Sequence, residues 1–148
     1  IRTVFEEWPR PKLVVLTIQK EVAQRITAKP PKMNLLAVSV QFFAEPKIIS
    51  YISKENFRPV PKIDSAIIKL TPKEKPPAGD IDKFFKIVRA GFSQKRKLLI
   101  GNLTLKLKLK KDDVLKSFSN LGIDEKSRAE NLELENWLNL ADELKLNQ

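Results

Sequence analysis

Apolar positions along this chain follow two rhythms, and the change between them divides it. Ile1 to Trp8 reads as the end of a helix, halted by Pro9 and Pro11. Lys12-Leu-Val-Val-Leu-Thr17 is a short, nearly continuous apolar run, the pattern of a strand buried on both faces. Gln19 to Ala28 is predicted helical, with Val22, Ala23 and Ile26 on one face and Lys20, Glu21, Gln24 and Arg25 around the other. Lys29-Pro30-Pro31 ends it. Leu35 to Ala44 is apolar almost all round, so periodicity does not separate helix from strand; the spacing of Leu36, Val40 and Phe43 favours helix. Lys47 to Ile52 alternates weakly and reads as a strand. Ile63 to Leu70 reads as another, with Ile63, Ser65, Ile67 and Lys69 on one face and Asp64, Ala66, Ile68 and Leu70 on the other. Strands alternating with helices make residues 1–72 α/β.

From Thr71 the chain turns charged and proline-rich (TPKEKPPAG), and residues 73–79 are the predicted linker to a small all-helical domain at 80–148. Asp80 is placed to cap a helix from Ile81 to Phe92, striped by Phe84, Phe85, Val88 and Phe92. A second helix is expected from Gln94, ending near Gly101 and Asn102. Leu103 to Leu109 (LTLKLKL) alternates as an amphipathic strand would; an extended connection whose leucines pack on the helices is the alternative. Asp112 to Leu121 reads as a helix stopped by Gly122, and Leu132 to Leu146 as a closing helix with Trp137, Leu140, Ala141 and Leu144 inward.

Composition adds a partner class. Among 148 residues, 28 Lys plus Arg stand against 18 Asp plus Glu, and with no histidine the net charge is +10. Such a balance favours a polyanion, with an anionic membrane as the other candidate. A hydrophobic content of 42% with 4 glycines argues against a disordered basic tail. Without cysteine or histidine, this chain has no thiolate chemistry, no imidazole base and no cysteine zinc site. No apolar stretch approaches membrane-spanning length and no signal-peptide pattern opens the chain, so a cytoplasmic protein is expected. The start at Ile1, without methionine, suggests part of something longer.

Charge also marks places. Between Gln94 and Lys111 lie seven basic residues and no acidic one, beginning with Lys95, Arg96 and Lys97. A run of this kind binds phosphates by counterion release, or is merely a solvated face; the absence of a compensating acid favours phosphate. In NFRPVPKIDSAIIKL (Asn56 to Leu70), Pro59 and Pro61 exclude a helix and ordinary ladder pairing. They predict a stiff, extended arm behind Phe57, whose ring is either a platform for a nucleobase or a core filler. Asp64 and Ser65 are expected to make local hydrogen bonds, with substrate contact as the alternative. The chain shows no glycine-rich phosphate loop, nucleophile elbow or metal-ligand cluster.

Four ordered segments, TIQKEVAQRITAKP (Thr17 to Pro30), NFRPVPKIDSAIIKL, VRAGFSQKRKLLIGNL (Val88 to Leu103) and LGIDEKSRAENLELENW (Leu121 to Trp137), resemble the ribosomal RNA adenine dimethyltransferase family. The resemblance implies a Rossmann-like sheet followed by a helical domain, S-adenosylmethionine as methyl donor, and two adjacent adenines near the end of bacterial small-subunit ribosomal RNA as target. That family's acidic, glycine-rich cofactor loop and its Asn-Leu-Pro-Tyr type motif do not occur here. The chain therefore resembles the family's C-terminal portion, expected to be inactive alone, with a full-length protein that is monomeric and engages ribosomal RNA or the immature small subunit rather than a membrane. By the same resemblance Phe57 packs on the flipped target adenine from an arm stiffened by Pro59 and Pro61, and Arg58 and Lys62 contact neighbouring phosphates. Lys95, Arg96 and Lys97, with Arg89 beside them, dock on RNA; no metal is implied. Leu103 to Leu109 becomes an irregular connection. The rival readings are a non-catalytic RNA-binding or ribosome-assembly factor and a helical adaptor for anionic membrane.

Overall fold

The computed structural model describes residues 11–74, 77 and 79–146, so the helix end expected at Ile1 to Trp8 lies outside the described residues. Two compact units emerge, one from the described residues of Ile1–Ala28 and Leu36–Pro76, the other from those of Lys29–Leu35 and Pro77–Gln148.

In the first unit the chain runs through β1 (Val14–Gln19), α1 (Lys20–Ile26), α2 (Leu35–Phe43), β2 (Ala44–Ile52) and β3 (Ser65–Pro72). The strand order is β1-β3-β2, and β3 is antiparallel to both neighbours, so β1 and β2 run the same way with β3 reversed between them. The central place of β3 follows from its alternation: Ala66, Ile68 and Leu70 are fully buried. They pack with Ile26 and Val22 of α1, Val40 and Leu36 of α2, and Val14, Leu16 and Ile18 of β1. Each fully buried large aliphatic side chain contributes about 1.5–3 kcal/mol. Gln41 Nε2 donates to the carbonyls of Ile26 (3.0 Å) and Ala28 (2.9 Å), satisfying two groups that the end of α1 leaves open.

Among the described residues β1 has a neighbour on one side only. It is thus an edge strand, its residues alternate between half-buried and exposed, and Leu13 and Val15 are 50% and 56% exposed. The apolar run that suggested burial on both faces is covered here on one. β2 starts earlier than predicted and carries Pro46 opposite Leu70, which an edge strand tolerates because a missing donor there breaks no central ladder. Just beyond β3, Lys73 is held below the usual lysine pKa range by partial burial, opposed by the charge of Glu45. The folded state binds this proton less tightly than the unfolded chain, so the Lys73 contribution to stability grows as pH rises from its depressed pKa toward the usual lysine range.

The second unit contains α3 (Ile81–Gly91), α4 (Leu99–Leu107), α5 (Lys111–Leu121) and α6 (Leu134–Glu143). Asp80 caps α3 as expected, its Oδ1 accepting from the Lys83 N–H at 2.8 Å. Gly122, at φ 66°, stops α5. The core is formed by fully buried Phe84, Leu99, Leu103, Phe118, Trp137 and Leu140. Residues 29–35, expected with the α/β portion, group with the helices; Met33 is buried and its N–H donates to the Glu130 carbonyl at 3.1 Å. α6 is shorter than predicted, although Leu132 and Leu144 beyond its ends are buried. No helix among the described residues is long and apolar enough to cross a membrane.

The largest correction concerns α4. Gly101 and Asn102 do not end a helix; they lie inside one, and the Leu-Lys alternation is neither strand nor irregular connection but helical as far as Leu107. Leu99 and Leu103, four apart, are fully buried and set the inner face, whereas Leu105 is 64% exposed. The helix ends at Lys108, in the left-handed region at φ 54°.

Gly91 ends α3 against the Trp137 ring and Leu99. A Cβ there would overlap Trp137 Cη2 and lie 2.8 Å from its Cζ3 and 2.9 Å from Leu99 Cδ1. Gly91→Ala is expected to destabilise this unit by about 1–3 kcal/mol through overpacking, read as a lowered urea midpoint in far-UV circular dichroism.

Candidate nucleic-acid interface

The loop from β2 to β3 builds the proline arm. A single turn of 3₁₀ helix at Lys54–Asn56 follows Ser53, whose hydroxyl accepts from the Glu55 N–H at 3.4 Å. Phe57 itself has extended backbone (φ −110°, ψ 151°) and its N–H donates to the Lys54 carbonyl at 3.2 Å, but the chain bends across residues 57–59 and again at 62–63, so the straight arm expected from the prolines is a curved loop. Phe57 is half-buried and is not among the buried core residues. Pro59 and Val60 are exposed, Pro61 is half-buried, and the Arg58–Pro59 peptide is cis. Arg58 Nη1 donates to the carbonyls of Glu55 and Phe57, both at 2.9 Å, so this guanidinium nitrogen serves the shape of its own loop.

Asp64 ties the far end of that loop down. Its Oδ1 accepts from the Lys54 N–H at 3.1 Å and its carbonyl from the Lys20 N–H at 3.1 Å, while Lys20 Nζ lies 3.7 Å from Oδ2. Lys20 Nζ also sits 5.3 Å from the centre of the Tyr51 ring. These groups frame a cleft of about 350 Å³ whose charged lining is Lys20, Lys54 and Lys62 against Glu21 and Asp64. Lys62 thus stands in a basic cleft; Lys20 and Lys54 join it without having been anticipated. Asp64 fulfils the local hydrogen-bond role expected of it. Asp64→Ala should cost about 1 kcal/mol in urea unfolding through the lost cap, the half-exposed ion pair adding little. Asp64→Asn, which keeps an acceptor for Lys54, should unfold close to wild type; an equal loss in both variants would show that the ion pair, not the cap, holds the loop.

The second basic surface is in the helical unit. Gln94 to Lys97 form a turn between α3 and α4, closed by the Lys97 N–H to the Gln94 carbonyl at 3.1 Å, and Lys95, Arg96 and Lys97 are exposed. Buried Asn102 positions this turn: its Nδ2 donates to the Gly91 carbonyl at 2.6 Å and the Gln94 carbonyl at 3.1 Å. The fold therefore pins the backbone while leaving three cationic side chains free for solvent or a partner. The first turn of α4 carries no acidic residue, so the positive end of its dipole adds to their charge. Arg89 is exposed in the last turn of α3. Lys97 and Lys111 flank a groove of about 490 Å³ over α4. Asn102 was hidden from sequence reasoning by its reading as a helix stop.

Residues 1–146 match the family described as "Ribosomal RNA adenine dimethylase". The chain is 38% identical over 143 residues to Ribosomal RNA small subunit methyltransferase A of Dehalococcoides mccartyi strain CBDB1, covering 95% of this chain and 49% of that protein. With the protein of the same name from Geobacillus thermodenitrificans it shares 36% identity over 138 residues, covering 88% of this chain and 47% of the relative. The chain thus spans about half the length of the curated relatives it matches. Among solved structures, a dimethyladenosine transferase from Plasmodium falciparum superposes with a TM-score of 0.79 at 26% identity, covering 93% of this chain and 59% of the other. The 23S rRNA methyltransferase ErmE shares the fold, with a TM-score of 0.72 at 22% identity over 93% of this chain and 57% of its own. On the match across residues 1–146, the chain belongs to the ribosomal RNA adenine dimethylase family.

Proposed function

We propose that this chain is the C-terminal portion of a cytoplasmic, S-adenosylmethionine-dependent ribosomal RNA adenine N6-dimethyltransferase, in which it supplies target-base stacking and RNA docking. The observation that carries the reading is the exposed Lys95-Arg96-Lys97 turn, pinned by Asn102 within a stretch from Gln94 to Lys111 that holds no acid. A rigid backbone presenting unneutralised cations suits a phosphate backbone, which is recognised by charge and position. The sheet unit would contribute Phe57. An adenine must leave its stack before its exocyclic amine can react, and the half-buried ring offers a surface for the extruded base. Lys62, in the basic cleft, and Arg58, on the arm, would steady neighbouring phosphates; Arg89 would extend the docking surface.

S-adenosylmethionine supplies the methyl group in this reading, but the described residues do not fit it. Residues 1–76 contain no glycine to let backbone approach a nucleotide closely, and in the cleft of the sheet unit three lysines, Lys20, Lys54 and Lys62, outnumber the carboxylates of Glu21 and Asp64, which disfavours a sulfonium cation. The division of labour is tested by incubating this chain with small-subunit ribosomal RNA and labelled S-adenosylmethionine. Salt-sensitive RNA binding without methyl transfer is the expected result. Methyl transfer by this chain alone overturns the division, and affinity that does not change between about 50 and 200 mM salt overturns the docking role.

A further inference from the structure

Glycine is the poorest helix former after proline, and in this fold a glycine stands in the first turn of a helix, as the third residue of α4, without an internal reason. Gly91 is required by the Trp137 ring and Gly122 by its positive φ. Gly101 is exposed within α4, and a Cβ built there meets nothing within 4 Å. It lies between Leu98, three residues before it, and Leu105, four after, which are 42% and 64% exposed on the same face. Lys97 and Lys111 border the same groove. The strip is apolar and flat at its centre and cationic at its rim.

We infer that the groove over Gly101 seats the sugar-phosphate backbone of the docked RNA, the ribose edges lying on Leu98, Gly101 and Leu105 and the flanking phosphates on Lys97 and Lys111. This rests on the docking reading above. The missing side chain lets the RNA backbone approach the helix, and the loss in helix propensity is offset in the complex. An acidic helical partner is the less favoured occupant: such a helix inserts apolar anchors from several turns, and the groove offers only two exposed leucines for them.

The test uses Gly101→Ala and Gly101→Gln in the full chain, read by thermal unfolding and by binding to a small-subunit ribosomal RNA transcript across a salt series. Both substitutions improve helix propensity into open space, so both variants should unfold at higher temperature than wild type. Gly101→Gln should nevertheless bind about tenfold more weakly, equivalent to about 1.4 kcal/mol, with an unchanged salt slope because no charge is removed. Gly101→Ala should fall between. If Gly101→Gln binds like wild type while replacement of Lys95, Arg96 and Lys97 still weakens binding, the groove is not the seat, although docking stands. If neither variant set changes binding, both ideas fail. Weaker binding accompanied by lowered stability also overturns the inference, because Gly101 would then serve the fold.

Discussion

Replacing Lys95, Arg96 and Lys97 together by alanine is expected to remove much of the affinity for small-subunit ribosomal RNA while leaving the fold intact. The three side chains are exposed, and the turn is held by backbone and Asn102 hydrogen bonds that alanine preserves. Each lost phosphate contact should lower the slope of log affinity against log salt by about 0.7 on single strands or 0.9 on duplex. For three contacts, wild type should lose about 20- to 40-fold more affinity than the variant between about 50 and 200 mM salt. The measurement is a filter-binding titration at several salt concentrations. Equal slopes for both proteins would remove these residues from the interface. Asn102→Ala makes a useful contrast, since it strips a buried donor from the Gly91 and Gln94 carbonyls and should cost about 1–3 kcal/mol of stability as well as affinity.

That contrast also shows where sequence reading succeeds and fails. Local chemistry was legible wherever one residue does one job: Asp80 caps α3, Gly122 stops α5, and the alternation of β3 divides its residues into the two faces the structure shows, Ala66, Ile68 and Leu70 sharing one. The helix α4 was misread because two strong local signals point the wrong way. Gly-Asn is the usual signature of a helix end, and Leu-Lys alternation is that of a half-buried strand. Tertiary contacts override both: Asn102 spends its amide on two carbonyls from before the helix, and Leu99 and Leu103 find the core. At β1 an unbroken apolar run implied two covered faces in a larger sheet, and with no strand beyond it among the described residues the edge and the apolar residues Leu13 and Val15 are exposed. The basic stretch from Gln94 to Lys111 was readable from charge alone, but the cleft of Lys20, Lys54 and Asp64 was not. Its members are distant in the chain and meet only because the start of α1 and the loop before β3 are joined through Asp64.

Phe57→Ala should separate base stacking from phosphate attraction. Its ring lies just after the turn at Lys54–Asn56, half-buried, on a bent loop whose middle is held by the Arg58 guanidinium and whose ends are joined by the Lys54 N–H to Asp64 bond. Because the ring is outside the core, its removal should cost the fold about 1 kcal/mol or less. Stacking on an unpaired base is worth about 1–3 kcal/mol, so RNA with its target adenines unpaired should bind the variant about 5- to 150-fold more weakly. The salt slope should not change, since no charge is lost, whereas the Lys95, Arg96 and Lys97 variant changes slope. A fluorescent purine analogue at the target position gives a direct readout: stacking on Phe57 quenches it, Phe57→Tyr preserves the quench, and Phe57→Ala abolishes it. If wild type leaves the analogue unquenched, or Phe57→Ala retains both quench and affinity, the arm does not hold a base. Loss of quench with the salt slope retained would mean that the chain recognises RNA by two physically separate means, one set by charge and one by an aromatic surface.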